Sequence, residues 1–290
     1  MKKVLFTGAC TALVTPFLGD RVNYPMLEQL IRRQTEAGIE AIVLCGTTGE
    51  APTLLDAEKL EMVRRAKDFA GDSCRIIAGT GSNCTAHAAA LSKEAEAAGA
   101  DGLLLVSPYY NKATADGLYR HYEAVARAVS IPLILYNVPS RTGVDIPVSV
   151  YRRLARIPNI VGVKEAARDL GKVVETIGTC GPDFSVWSGN DDLTVPVMAL
   201  GGRGVISVTS NIAPVQVNAM AQAALLGDYV SAAAMQLRLR ELNEILFCEV
   251  NPIPVKAAMK RIGYDCGGCR LPLTDLSPDN LRHLERIISD

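Results

Sequence analysis

Short apolar runs recur along the chain, and amphipathic stretches separate them. The runs are ACTALVT (9–15), AIVLC (41–45), RIIAG (75–79), GLLLV (102–106), LILY (133–136), IVGVK (160–164), FSVWS (184–188) and GVISV (204–208). They are nearly continuous in leucine and β-branched residues, as in strands covered on both faces. Between them, 56–70, 85–98 and 116–129 carry apolar residues at helical spacing. Strand followed by helix, about eight times, is the pattern of parallel β/α units. Eight such units predict an α/β protein of the (β/α)8 TIM-barrel type, for which about 250 residues is typical. An open, doubly wound sheet is the alternative. Beyond the last strand the pattern predicts helices near 215–226, 229–246, 253–262 and 278–288, more than one closing helix requires. The expected division is therefore a barrel over 1–226 and a helical appendix over 227–290. No proline-rich or glycine-serine linker separates the two, so independent motion of the appendix is not expected.

Composition narrows the function. With 30 basic and 31 acidic side chains the net charge is -1, which gives no reason to expect nucleic acid or an anionic membrane as partner. A small-molecule substrate fits better. Gly8, Thr11, Thr15 and Pro16 interrupt the apolar residues after the initial basic pair, so no signal-peptide core is read there, and no run approaches the roughly 20 apolar residues of a membrane helix. Eight cysteines at irregular spacing suit reduced thiols in a cytoplasm better than a disulfide scaffold. Cys266 and Cys269 form one CxxC, but no further ligands lie nearby at zinc-site spacing; a structural or incidental role is expected ahead of a redox pair or metal site.

Chemistry in a barrel of this kind gathers at the carboxyl ends of the strands. Here these ends carry GTTGE (46–50), SPYYNK (107–112), YNVPSRTG (136–143) and Lys164 followed by Glu165. Taken alone, such a lysine snorkels outward or pairs with Glu165. Held among Ile160, Val161 and Val163, it would instead be desolvated, which favours the neutral amine that attacks carbonyls to form imines. Tyr136, Tyr109 and Tyr110 offer phenols for proton transfer, and Arg141 a fork for a carboxylate. Each of these has a plain surface or packing role when considered singly. The glycines of GTTGE let backbone N–H groups approach a ligand, and a helix expected soon after it could help hold a small carboxylate. P-loop and dinucleotide fingerprints are absent, and His87, His121 and His283 lie outside the strand-end motifs. Amine, phenols, cradle and arginine together suit imine formation with a 2-oxo acid, followed by making or breaking a carbon–carbon bond. The iminium is the electron sink, so neither metal nor cofactor is expected.

GTTGE, SPYYNK, YNVPSRTG and GVKEA, in this order, resemble the signatures of the dihydrodipicolinate synthase family, within the pyruvate-dependent class I aldolases. The likeness runs from about Gly8 through NPIPVK (251–256) to RLPL (270–273). It implies a barrel with a C-terminal helical domain, assembled as a homotetramer that is a dimer of dimers. It implies that Lys164 forms a Schiff base with pyruvate and that Tyr136 is the general acid/base. Thr47 and Tyr110 would complete the proton relay, Tyr110 reaching into a neighbouring subunit's site. Thr48 and the Ile206 backbone would bind pyruvate, Arg141 the carboxylate of L-aspartate 4-semialdehyde, and Gly189 would be a further substrate-binding residue. The alternative is a sibling aldolase acting on N-acetylneuraminate or a 2-keto-3-deoxy-sugar acid, and Arg141 within NVPSRTG speaks against it. The resemblance breaks down where lysine-inhibited members bind their inhibitor. Those positions are Ala51, Asp56, Lys59 and His87 here, while Asn83 and Tyr109 match. Lys59 would repel an incoming ammonium, so weak or absent inhibition by lysine is expected.

Overall fold

The computed structural model describes residue 2 and residues 4–289. Met1, Lys3 and Asp290, part of the initial basic pair and of the outer bounds of the two expected domains, lie outside the described residues. Eight parallel strands close into a barrel: β1 (Gly8–Ala12), β2 (Ala41–Leu44), β3 (Arg75–Gly79), β4 (Gly102–Val106), β5 (Leu133–Asn137), β6 (Ile160–Glu165), β7 (Ser185–Ser188) and β8 (Gly204–Ser207). Strand β8 returns to pair with β1, Gly204 opposite Gly8 and Ile206 opposite Cys10, so no edge is left exposed. The expected barrel is thus the observed one, and the open sheet is not.

The first strand is shorter than its apolar run. Extended pairing ends at Ala12, and the chain then turns through Pro16 into a two-stranded hairpin, Phe17–Leu18 against Arg21–Val22, too short to leave a periodic signal. Side chains inside the barrel include Cys10, Val43, Ile77, Leu104, Ile134, Val161 and Ile206, closed below by Phe6 stacked on Trp187 at 4.9 Å. The outward faces pack under the helices, which is why both faces of each strand are apolar.

Past β8 the helices span Pro214–Leu225, Tyr229–Arg238, Arg240–Ile245, Ile253–Arg261 and Pro278–Ser289. The single helix expected over 229–246 is therefore two, divided at Leu239. Leu246, Val255, Met259 and Leu284 share one buried cluster with Leu13, Leu27 and Ile42, so these helices bury their apolar faces on the barrel. Among the described residues no helix is long and apolar enough to cross a membrane.

Candidate active site

Tyr136 and Lys164 are register partners on β5 and β6, and both are buried. Lys164 Nζ lies 4.4 Å from the centroid of the Tyr136 ring. The side chain is 5% exposed, so it does not snorkel. Nor does it pair with Glu165. Alternation sends Glu165 to the other side of the barrel wall, where its carboxylate accepts from Asn137 Nδ2 (2.8 Å), Tyr151 Oη (3.0 Å) and the Ala167 N–H (2.9 Å), with Lys172 Nζ at 3.9 Å. Burial pushes the Glu165 carboxyl up, against the opposing pull of Lys172 and the hydrogen bonds.

Gly189, after β7, makes room for the amine. A Cβ there would stand 2.7 Å from Ala166 Cβ and 3.2 Å from Lys164 Cε, so any side chain would press on the lysine. Nearby, Asp191 is buried and accepts from Ser207 Oγ and from the Val208 N–H at 2.9 Å. Burial raises its carboxyl, while those donors and the positive charge of Lys164 act in the opposite sense. Ile206, on β8, is buried in the barrel interior.

Arg141 sits on a four-residue helix, Pro139–Thr142, rather than in an open turn. Gly143 ends that helix at φ +67, a left-handed conformation natural to glycine. Thr47, Tyr109, Tyr136 and Arg141 line one cavity of about 570 Å³, a size suited to a small ligand. Its wall continues through Ala51, Asp56, Lys59, Asn83 and His87. There the Asp56 carboxylate is taken on both sides, by Lys59 Nζ at 3.0 Å and His87 Nε2 at 2.7 Å. Partial burial works against ionisation of Asp56, but these two hydrogen bonds outweigh it and hold the group below the usual carboxylate range.

Of the expected site residues, Thr47, Tyr136 and Arg141 line that cavity, whereas Lys164, Thr48, Gly189, Ile206 and Tyr110 do not, and of these five Tyr110 alone is exposed. It is 91% exposed, lies off the cavity wall and holds φ at +68, strained for an aromatic residue. The GTTGE loop differs from expectation in one respect. A 3-10 turn, Ala51–Thr53, intervenes, and the following helix starts only at Asp56, so its N-terminus is not at the cradle.

The sequence reading missed the residues that hold this loop. Glu50 takes a left-handed φ of +56 and buries its carboxylate, which accepts from Lys256 Nζ and the Arg270 N–H, both at 2.8 Å. Thr48 Oγ1 accepts from Asn251 Nδ2 at 3.0 Å. A charged lysine inside the apolar-rich stretch NPIPVKAAM was the available signal; nothing local marked Asn251. Cys266 is buried and Cys269 half-buried, both as free thiols that burial pushes up to about 12, which disfavours the reactive thiolate. Among the described residues no group of three or more His, Cys, Asp or Glu is placed to hold a metal ion.

Comparison with known proteins covers nearly the whole chain. The Dihydrodipicolinate synthetase family matches residues 5–290. A 4-hydroxy-tetrahydrodipicolinate synthase of Acetivibrio thermocellus is 47% identical over 290 residues, covering 100% of this chain and 99% of the relative. Among solved structures, the dihydrodipicolinate synthase from Aquifex aeolicus superimposes with a TM-score of 0.96 at 44% identity, covering 98% of this chain and 97% of that one. A chloride-inhibited dihydrodipicolinate synthase from Acinetobacter baumannii, complexed with pyruvate, gives 0.95 at 43% identity, with 98% and 99% covered. The chain therefore belongs to the dihydrodipicolinate synthetase family.

Proposed function

We propose that this enzyme condenses pyruvate with L-aspartate 4-semialdehyde to 4-hydroxy-tetrahydrodipicolinate, the first committed step of diaminopimelate and lysine synthesis. The observation that carries the reading is the buried Tyr136–Lys164 pair at one barrel mouth, in a chain whose family match runs almost end to end. The related Acinetobacter enzyme is itself complexed with pyruvate.

In this reading the Lys164 amine attacks the ketone carbon of pyruvate and water leaves, giving an iminium. Loss of a methyl proton gives the enamine, whose carbon attacks the aldehyde. The substrate's own amine then displaces Lys164 from the imine carbon, closing the ring and freeing the enzyme. Tyr136 passes the protons at each stage, helped by Thr47 and by Tyr110. Thr48 and the Ile206 backbone hold pyruvate, Arg141 receives the carboxylate of the semialdehyde, and Gly189 adds to the substrate-binding set. The 91% exposure of Tyr110 and its strained backbone suit a residue that serves the site of a second copy, within a homotetramer built as a dimer of dimers. Among the described residues, those up to 226 form the catalytic barrel and those from 227 onward the helical domain, and the enzyme works in the cytoplasm.

Borohydride reduction in the presence of pyruvate, followed by peptide mass spectrometry, tests the assignment. A pyruvate-derived adduct is expected on Lys164, and none in Lys164→Ala. An unmodified Lys164 in the wild-type enzyme would sink the mechanism. Product formation with aspartate 4-semialdehyde, and none with N-acetylmannosamine, separates the reading from a neuraminate lyase.

A further inference from the structure

The segment between the Arg240–Ile245 and Ile253–Arg261 helices brings one amide side chain into the barrel mouth. Asn251 is 5% exposed. Its Nδ2 donates to Thr48 Oγ1 at 3.0 Å, and its backbone oxygen accepts from Arg141 Nη2 at 3.4 Å. Its amide oxygen, Oδ1, is buried and has no hydrogen-bond partner among the described residues. An amide oxygen only accepts, and a bare acceptor in a buried place is costly enough that native structures rarely keep one without a reason. A donor on a ligand bound beside Thr48 and Arg141 would meet that need.

The two substrates of the reaction proposed above differ in what they can donate. Pyruvate presents a ketone and a carboxylate, which are acceptors. The semialdehyde adds an amine, on the carbon that also bears the carboxylate bound for Arg141. Amine and carboxylate share one carbon, so the acceptor for the amine must stand beside the guanidinium. Asn251, which touches Arg141 through its own backbone, stands there. The choice of amide over carboxylate also has a reason. A neutral oxygen can orient the N–H bonds without holding the amine as ammonium, leaving its lone pair free for the later attack on the imine carbon.

We propose that Asn251 Oδ1 accepts a hydrogen bond from the amino group of the aldehyde substrate and so selects amino-aldehydes over aldehydes that lack the amine. A site built around a substrate donor discriminates strongly against analogues without it, because its own acceptor is then left unpaired. This inference rests on the proposed condensation and deepens it.

The test compares wild-type enzyme with Asn251→Leu, which keeps the branched outline and removes both the acceptor and the donor to Thr48, using aspartate 4-semialdehyde and succinate semialdehyde, the same aldehyde without the amine. Pyruvate consumption gives kcat/KM for each, and borohydride trapping reports the Lys164 adduct separately. Preference for the amino-aldehyde is expected to fall about tenfold in the variant, the scale of one hydrogen bond to a polar substrate group, while the pyruvate adduct still forms. Equal losses with both aldehydes would reduce Asn251 to a brace for Thr48 and Arg141, and an unchanged preference would likewise overturn the proposal. If Asn251→Leu does not fold, Asn251→Ala gives the same readout. Absence of the adduct in wild-type enzyme would be a different failure, that of the Lys164 mechanism itself.

Discussion

Glu50 closes the GTTGE motif and Glu165 follows the strand-end lysine; both are buried beside the site, yet they are held in different ways. Glu50 meets full charge: Lys256 Nζ at 2.8 Å, itself bonded to the Gly268 carbonyl at 2.7 Å. The pair joins the loop after β2 to chain more than 200 positions away, so the Ile253–Arg261 helix anchors the cradle. Glu165 meets mostly neutral donors, Asn137, Tyr151 and a backbone N–H, all close in the barrel wall. One is a latch between parts of the molecule; the other braces the strand that carries Lys164. A loop at a strand end has no ladder to fix it and needs a strong distant tie, whereas a strand needs only local support.

Breaking the latch is expected to have the larger effect. Lys256→Met leaves Glu50 buried without its counter-charge and should cost about 3–5 kcal/mol, read from urea unfolding at neutral pH. Adding Glu50→Gln to Lys256→Met should recover part of that loss. If the single variant unfolds like the wild type, the pair is not a latch.

Breaking the brace should cost less. Tyr151→Phe removes one donor from Glu165 and should destabilise by about 1–3 kcal/mol. It should also change the pH dependence. Because the folded Glu165 carboxyl is raised, the native state keeps its proton when the unfolded chain has lost it. Stability from this group is thus fully present below the ordinary carboxylate pKa and declines as pH rises through the higher folded value. Removing Tyr151 Oη, which favours the charged form, raises that folded value further and should carry the decline to higher pH. Parallel stability curves for the two proteins would show that Tyr151 does not bear on Glu165.

The smallest effect is expected at the outer wall of the cavity, where Asp56 is already occupied by Lys59 and His87. Sub-millimolar lysine should leave the condensation rate unchanged. A clear fall would mean that this charge cluster opens to admit the inhibitor, and that the outer wall is as tunable as the latch.

The same contrast explains what the sequence made legible. Strands buried on both faces write themselves as apolar runs, so the eight strands and the lysine near the end of the sixth could be read locally. Arg141 and Tyr136 were visible because strand ends in a barrel are where chemistry collects. Asn251 and the Glu50–Lys256 pair were not, because their meaning lies in partners distant in sequence and no periodicity encodes such a meeting. The hairpin after Pro16 escaped notice for a different reason: two residues per strand are too few to alternate.

Tyr110, strained and held out into solvent, has a consequence at the level of inheritance. If one chain's phenol completes another chain's site, a gene copy lacking Tyr110 and a second lacking Lys164 are each inactive alone. Brought together in a mixed dimer, they would supply one chain with its own lysine and a borrowed tyrosine. Two broken alleles would then make one working site, because the unit on which selection acts is the pair of chains.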